Sequence, residues 1–354
     1  MDAVRLALLL LCGALYASGQ ALKRLAVTDT LTIPGQHYQD GGMAVRIPVK
    51  CSPGGELFVE FVGGGVEPGV SVVSEDRQRI VRFNPMQGSG MEGSVLEDFA
   101  PGTSHDLFLV LSRVTSENAT RRGSTDHLIV HWREGASPSI TELALKPGFQ
   151  LRQVALLGSD HFLVSGFFGW QHLHPEPFTA IFDSGGQFLQ KLTLPGDLNA
   201  DSESPNVTGR FPTDRAAQAE TSAVGWLESS SLQTADDGSA YLARGDPQGP
   251  VFIISPGGAV RRITLTVPKS GANLSSVKIA GGKIAAEYNI PSPTEGHHSH
   301  FLTVADLSTG RLLDTVGYEG SELPGLLVCY RNQSFEFLTS GADGKLNVVR
   351  AVSH

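Results

Sequence analysis

Short apolar runs recur along the chain between clusters of Gly, Asp, Asn, Ser and Pro. Five stretches open on such a cluster and pass directly into a strand-like run: SPGGELFVEFV from Ser52, TSHDLFLVLS from Thr103, GSDHFLVSGFF from Gly158, ADDGSAYLA from Ala235 and AGGKIAAEYNI from Ala280. RNQSFEFLTS from Arg331 makes a sixth. After each of the first five, a loop of varying length leads to a second apolar strand, a tight turn and a last strand. The clearest example is FTAIFDSGGQFLQKLTLPG, from Phe178 to Gly196. β-Branched and aromatic residues between turn-forming corners are the chemistry of hairpins. The spacing of the units is roughly 50 residues, within the range of repeats built from four-stranded blades. Runs such as LFLVL and VFII are apolar at consecutive positions, so both faces of the strand must be covered. Stacking one blade on the next provides that cover.

The sixth unit offers only three strands, in LLVCYRNQSFEFLTSGADGKLNVVRAV. The segment LAVTDTLTIPG, from Leu25 to Gly35, has the look of the missing outer strand, with its counterparts in KLTLPG and ITLTVP far down the chain. Pairing of residues around Leu31 with those around Val348 would complete the last blade and remove an exposed edge. On these features the chain resembles the six-bladed β-propeller superfold of secreted and periplasmic bacterial proteins, TolB- and NHL-like in architecture. The resemblance implies an all-β fold in one domain over residues 21–354, with an insertion at 197–229 between the third and fourth blades. The carboxylate boxes of sialidases, the YWTD repeats of receptor propellers and the tryptophan motifs of quinoprotein propellers are missing. Cys51 and Cys329 each lie six residues before the predicted second strand of a unit, at Leu57 and Phe335. Those units are neighbours in a closed ring. The two cysteines then either form a disulfide, within the roughly 7 Å limit on Cα separation, or remain as buried thiols.

Residues 1–20 change the picture of compartment. One Arg, an apolar run from Leu6 to Ala17 and small residues at Ala17, Ser18 and Gly19 read as a secretory signal peptide. The expected location is therefore periplasmic or secreted, where a disulfide persists. The formal charge of −9 over 354 residues argues against nucleic acid as a partner, since such binding requires clustered Lys and Arg. No later segment is apolar for the ~18 residues that a membrane-spanning helix requires. A monomer is expected.

Candidate chemistry is sparse. Loops that join second to third strands share a face with loops that join one blade to the next, and long variable loops are where binding residues concentrate. That face collects FGWQHLHPEPF from Phe168 and NIPSPTEGHHSH from Asn289, together with the segment after the N-terminal strand. The ligand-binding candidates are His37, Tyr38, Trp170, His172, His174, His297, His298 and His300. Their histidines match no recognised metal-ligand spacing, and no cofactor is indicated. Trp226, Phe167 and Phe168 are aromatic surfaces near the same loops, and RFPTDRAAQAETSAVGWL is the one stretch that suggests a short helix. The partner expected is a protein, peptide or glycan. The competing reading is a hydrolase or lyase with a metal or carboxylate site at the channel mouth, which calls for acidic groups near the axis such as Asp40, Glu97, Asp98 and Glu228.

Overall fold

In a computed structural model of the chain, twenty-four strands among the described residues form six four-stranded antiparallel sheets. The described residues are 23–37, 49–52, 54–63, 66–76, 79–83, 91, 94–102, 106–113, 126–133, 136–146, 148–168, 176–195, 197, 230–244, 250–267, 272–291, 298–319, 325–340 and 345–354. The leader at 1–20 and residues 198–229 of the expected insertion lie outside them.

Blade 1 contains β2 (Val49–Cys51), β3 (Leu57–Gly63), β4 (Val66–Val73) and β5 (Ile80–Phe83). Blade 2 contains β6 (Val95–Pro101), β7 (Asp106–Arg113), β8 (Asp126–Arg133) and β9 (Ser139–Glu142). Blade 3 runs through β10 (Phe149–Leu157), β11 (His161–Phe168), β12 (Glu176–Asp183) and β13 (Phe188–Lys191). Blade 4 has β14 (Ser231–Thr234), β15 (Ala240–Ala243), β16 (Pro250–Ile254) and β17 (Val260–Thr264). Blade 5 has β18 (Asn273–Ala280), β19 (Lys283–Pro291), β20 (His298–Asp306) and β21 (Leu312–Glu319). Blade 6 joins β22 (Leu326–Arg331), β23 (Ser334–Ser340) and β24 (Lys345–Ser353) to β1 (Leu25–His37), in the spatial order β1-β24-β23-β22. The fold is a six-bladed β-propeller.

The apolar pattern explains the stacking. In β7, Leu107, Leu109 and Leu111 pack toward blade 1, while Val110 between them packs toward blade 3. In β11, Phe162 and Val164 face blade 2, and Leu163 faces blade 4. Alternate residues of a strand point to opposite faces, so each apolar run supplies two wedges of core at once. The buried residues accordingly fall into six clusters, one in each gap between adjacent blades.

β1 runs antiparallel to β24, with Leu31 opposite Val348. Ile33 of β1 is fully buried in the cluster shared by blades 6 and 1. The backbone N–H groups of Arg24 and His354 each donate to the other's carbonyl, at 3.2 and 3.0 Å. Just before β1, Lys23 bridges to Val316 of blade 5 and its Nζ lies 2.7 Å from Asp314 Oδ2.

Four of the innermost strands carry a bulge near the same level: between Leu96 and Asp98, Leu151 and Gln153, Leu274 and Ser276, and Leu327 and Cys329. An extra residue on one strand bends it and turns its side chains. The residue that follows the bulge reaches across to a neighbouring inner strand in each case. Asp98 accepts from Val154 N at 2.7 Å, Gln153 Nε2 donates to Ser230 O, and Ser276 Oγ donates to Leu327 O at 3.0 Å. Cys329 is joined to Cys51 by a disulfide with a Cα–Cα distance of 5.6 Å. Gln233 Nε2, on a strand with no bulge, donates to Ile279 O at 2.7 Å, and Lys50 Nζ contacts Asp98 Oδ2 at 2.6 Å. The inner strands are thus linked in sequence around the whole axis.

Candidate functional site

Three clusters of ionisable groups among the described residues bear on function. The first is the axis at blades 1 and 2. Lys50, 8% exposed, and Asp98, 3% exposed, form a buried ion pair, and Lys50 Nζ also donates to Val154 O at 2.6 Å. Glu60 of β3 is 5% exposed. Burial pushes its carboxyl up to about 8, with further contributions from the negative charges of Asp98 and Glu97. A carboxyl in that state is protonated at neutral pH and can donate a proton. Glu97 is the extra residue in the bulge of β6, and Ser112 Oγ donates to its Oε1 at 2.5 Å. His127, directly across the ladder from Ser112, is buried, and burial holds its pKa below the ordinary imidazole value. The slot between Lys50, Ala100, Val154 and Gln233 is too narrow to admit water.

The second place is the face where the long loops were expected. His300 lies in β20, opposite Asn289 and Tyr318, with Nδ1 3.8 Å from Glu287 Oε1. Burial raises the Glu287 carboxyl to about 7, and the backbone N–H of Leu327 donates to its Oε2 at 3.4 Å. His298 is the first residue of β20 and pairs with Pro291, so the hairpin of blade 5 extends through residues read from the sequence as loop. His37 is the last residue of β1, opposite Lys345. Tyr38, Asp40, Trp170, His172, His174, Trp226, Glu228 and His297 lie outside the described residues. Among the described candidates, His300 is brought against a second ionisable group, Glu287. No group of three or more His, Cys, Asp or Glu with metal-binding geometry occurs among the described residues.

On the same face, Arg244 is 1% exposed and closes a bidentate pair with Asp197: Nε to Oδ1 is 2.8 Å and Nη2 to Oδ2 is 2.9 Å. It also donates to Ser165 Oγ and Thr179 Oγ1 of blade 3, at 3.3 and 3.4 Å. Asp197 is the residue from which the expected insertion departs, so this guanidinium pins the base of that segment to the seam between blades 3 and 4. Sequence reasoning missed Lys50, Glu60, Arg244 and Glu287 as members of these sites. The available signal was a single charge inside an otherwise apolar strand, as in LFVEFV, AYLAR and IAAEY. A charge at such a position is enclosed and must find a partner or change its protonation.

The third place is on the opposite face, where the tight turns lie. A groove of about 990 Å³ opens at the seam between blades 6 and 1. Its lining comes mainly from the β2–β3, β4–β5 and β22–β23 turns, joined by Gly102 of blade 2 and by Cys329, Glu336 and Arg350 of blade 6. Gly55, at φ 87°, carries the Arg331 guanidinium across its Cα, where any Cβ would collide with it. Arg331 Nη1 in turn lies 3.3 Å from Glu75 Oε1. Arg350 bonds Glu336 Oε1 through both Nε and Nη2, at 3.3 and 3.2 Å.

No family model matches the chain, and no curated protein matches it in sequence. Similar solved structures include TolB from Acinetobacter baumannii, at 11% identity and a TM-score of 0.43 over 86% of this chain and 63% of that one. A protein of unknown function from Bacteroides caccae is 12% identical with a TM-score of 0.37, over 82% of this chain and 81% of that one. A subtype N10 neuraminidase-like protein of A/little yellow-shouldered bat/Guatemala/060/2010 is 10% identical with a TM-score of 0.42, over 93% of this chain and 100% of that one. This chain spans less than two thirds of TolB's length. Similarities of this size carry no information on chemistry.

Proposed function

We propose that the protein is an extracytoplasmic binding module, a rigid ring that presents its surface to a protein, peptide or glycan and performs no reaction. One observation carries this reading. The described axial side chains Lys50, Asp98, Gln153 and Gln233 spend their polar groups on other blades, and the slot lined by Lys50, Ala100, Val154 and Gln233 has no room for a water molecule. Catalysis at an axis requires convergent groups with an open position between them. The leader-like residues 1–20 and the disulfide, which persists under oxidising conditions, support the extracytoplasmic part of this reading. Among the described residues no helix is long and apolar enough to cross a membrane. A single propeller domain over 21–354, acting as a monomer, is part of the same proposal.

A hydrolase or lyase is the second reading, and one feature favours it: a protonated Glu60 beside the carboxylates of Glu97 and Asp98 has the chemistry of an acid–base pair. Peptide and glycan arrays probed with the purified, disulfide-bonded protein separate the two. The binding module predicts saturable retention of ligand that mass spectrometry recovers intact. Recovery of cleaved ligand, lost in Glu60→Gln, would establish the enzyme instead.

A further inference from the structure

Blade 6 differs from the other five in how its outer strand is held. In blades 1 to 5 the outermost strand follows the third after a turn of four to six residues. β1 has no such link to β24, and its covalent path to the ring runs through the eleven residues between His37 and Val49. Closure of the ring does not depend on it, because the Cys51–Cys329 disulfide ties the inner strands of blades 1 and 6 directly. We propose that β1 is an exchangeable strand, and that the edge of β24 beneath it is a docking site for an extended segment of a partner protein. The inference deepens the reading of the protein as a binding module and rests on it.

The hold on β1 is discontinuous. Its ladder with β24 shifts register between Val27 and Asp29 and again between Thr32 and His37. Val27 is 58% exposed, and Thr28, Asp29, Thr30 and Thr32 are exposed as well. Ile33 is the one buried side chain described in β1, with Leu25, Ala26 and Leu31 partly covered. The ion pair just before the strand, Lys23 with Asp314, has its ammonium at the surface and weakens with salt. A strand with few buried contacts and an interrupted ladder opens at less cost than the strands beneath it.

The strand now in the site defines what else fits it. Leu31 and Ile33, two positions apart, pack into the cluster between blades 6 and 1, whereas Leu25 packs into the one between blades 5 and 6. Strict alternation would set Leu25 and Leu31 on one face. The extra residue at Thr28 inverts the alternation, so a single strand plugs both seams. Thr28 Oγ1 donates to Arg350 O at 3.3 Å, and Thr32 Oγ1 donates to Asn347 Oδ1 at 2.7 Å. The partner segment therefore follows the pattern of Leu25, Leu31 and Ile33, with hydroxyl residues at the places of Thr28 and Thr32. Backbone pairing with β24 supplies affinity and the two apolar seams supply specificity, as in other recognition by strand addition. Leu346 of β24 has no residue of β1 directly opposite. Exchange between two copies of this chain remakes that gap, whereas a partner segment that stays in register past Thr32 pairs there as well, which favours a partner over a second copy.

Hydrogen exchange on the full, disulfide-bonded protein, read by mass spectrometry, tests release. We expect the amides of residues 25–33 to exchange about tenfold faster than those of β21, an outer strand with a short turn, and to slow when Leu31→Cys with Val348→Cys fixes two opposite residues by a second disulfide. Equal rates in β1 and β21, or no slowing in the locked variant, would overturn the exchangeable strand. Capture is tested on Val348→Cys with an end-blocked peptide of residues 25–37 that carries Leu31→Cys, activated as a mixed disulfide with thionitrobenzoate. It is supplied at about 1 mM, the order of effective concentration at which a short tether holds β1. The protein thiolate takes the peptide sulfur and releases thionitrobenzoate, and non-reducing mass spectrometry records the adduct. Trapping should be about tenfold faster than for a scrambled peptide with its cysteine at the same position, with melting of the variant unchanged beforehand. Equal trapping of both peptides, or no trapping below the urea concentration that unfolds the ring, would overturn the docking site. Dimers of the parent by light scattering that disappear in the locked variant would assign the edge to a second copy and overturn the partner. Any of these failures removes strand exchange alone, because ligands retained on the arrays report on the module as a whole.

Discussion

Lys50 and Cys51 are adjacent on a strand of three residues, yet they hold opposite seams of the ring by different chemistry. Lys50 ties blade 1 to blade 2 through a buried ion pair, and Cys51 ties blade 1 to blade 6 through a covalent bond. The alternation of side chains along a strand makes this possible, since neighbours point to opposite sides. The comparison teaches where each seam is vulnerable. An ion pair out of water is only as good as both its members, because either one alone is a desolvated charge. A disulfide acts mainly on the unfolded chain by limiting the distance its ends can travel. The seam between blades 1 and 2 should therefore be sensitive to single substitutions, and the seam between blades 6 and 1 to redox conditions.

The largest effect expected is from Lys50→Ala, which leaves Asp98 enclosed without its cation. We expect a loss of about 3–5 kcal/mol in urea denaturation, and a smaller loss from the paired apolar replacement Lys50→Met with Asp98→Leu than from the two single changes added together. Additive losses would show that the two side chains do not act as a pair. Next comes the double change Cys51→Ser with Cys329→Ser, expected to cost about 2–4 kcal/mol. Adding a reductant should lower the midpoint of the parent protein and leave that of the variant unchanged. Two alkylated thiols in the unreduced parent, seen by mass spectrometry, would contradict the covalent seam.

Glu60 gives a prediction about pH at the ion-paired seam. Folded, it keeps its proton up to about pH 8, whereas unfolded it releases it near the ordinary carboxyl value of 4.5. Between those values the folded state binds the extra proton, so its contribution to stability is complete below pH 4.5 and is lost as pH climbs toward 8. The ideal slope is about 1.4 kcal/mol per pH unit for one proton. Relaxation around the ionised carboxylate lowers it, so Glu60→Gln should gain ~1–2 kcal/mol over the parent at pH 8 and almost nothing at pH 4. Parallel melting curves from pH 4 to 8 would show that Glu60 ionises normally. The smallest effect belongs to a neutral seam: Gln233→Ala removes one side-chain hydrogen bond between blades 4 and 5 and should cost about 1 kcal/mol.

The same contrast separates what could be read from the chain from what could not. LFLVL announces two covered faces because each residue's requirement is local, and β1 could be recognised because the strand it resembles recurs in other units. The bulges in β6, β10, β18 and β22 could not be read, since an extra residue in a strand needs no glycine and leaves no mark on composition. Without them, nothing in Asp98 or Gln153 says which neighbour it will reach. The Lys50–Asp98 pair joins residues separated by 48 positions, and only the ring brings them together. At the candidate site the compositional signal from clustered histidines was visible, but the hairpin that holds His298 and His300 in β20 was not. Their tract carries Pro and Gly before a strand whose length is set by its partner β19. The groove on the other face left no signal at all, because it is assembled from three turns of ordinary turn composition.

The pairing of β1 with β24 has a consequence for the order of events in the cell. A ribosome delivers residues 25–37 among the first of this chain and residues 345–353 more than three hundred positions later. The first of the described strands to emerge is thus paired only after the rest, and it must stay unclaimed by the five intervening sheets until its mate arrives. Until then Ile33 is exposed to whatever else is near, so the interval between the synthesis of the two strands is when this molecule most needs a chaperone.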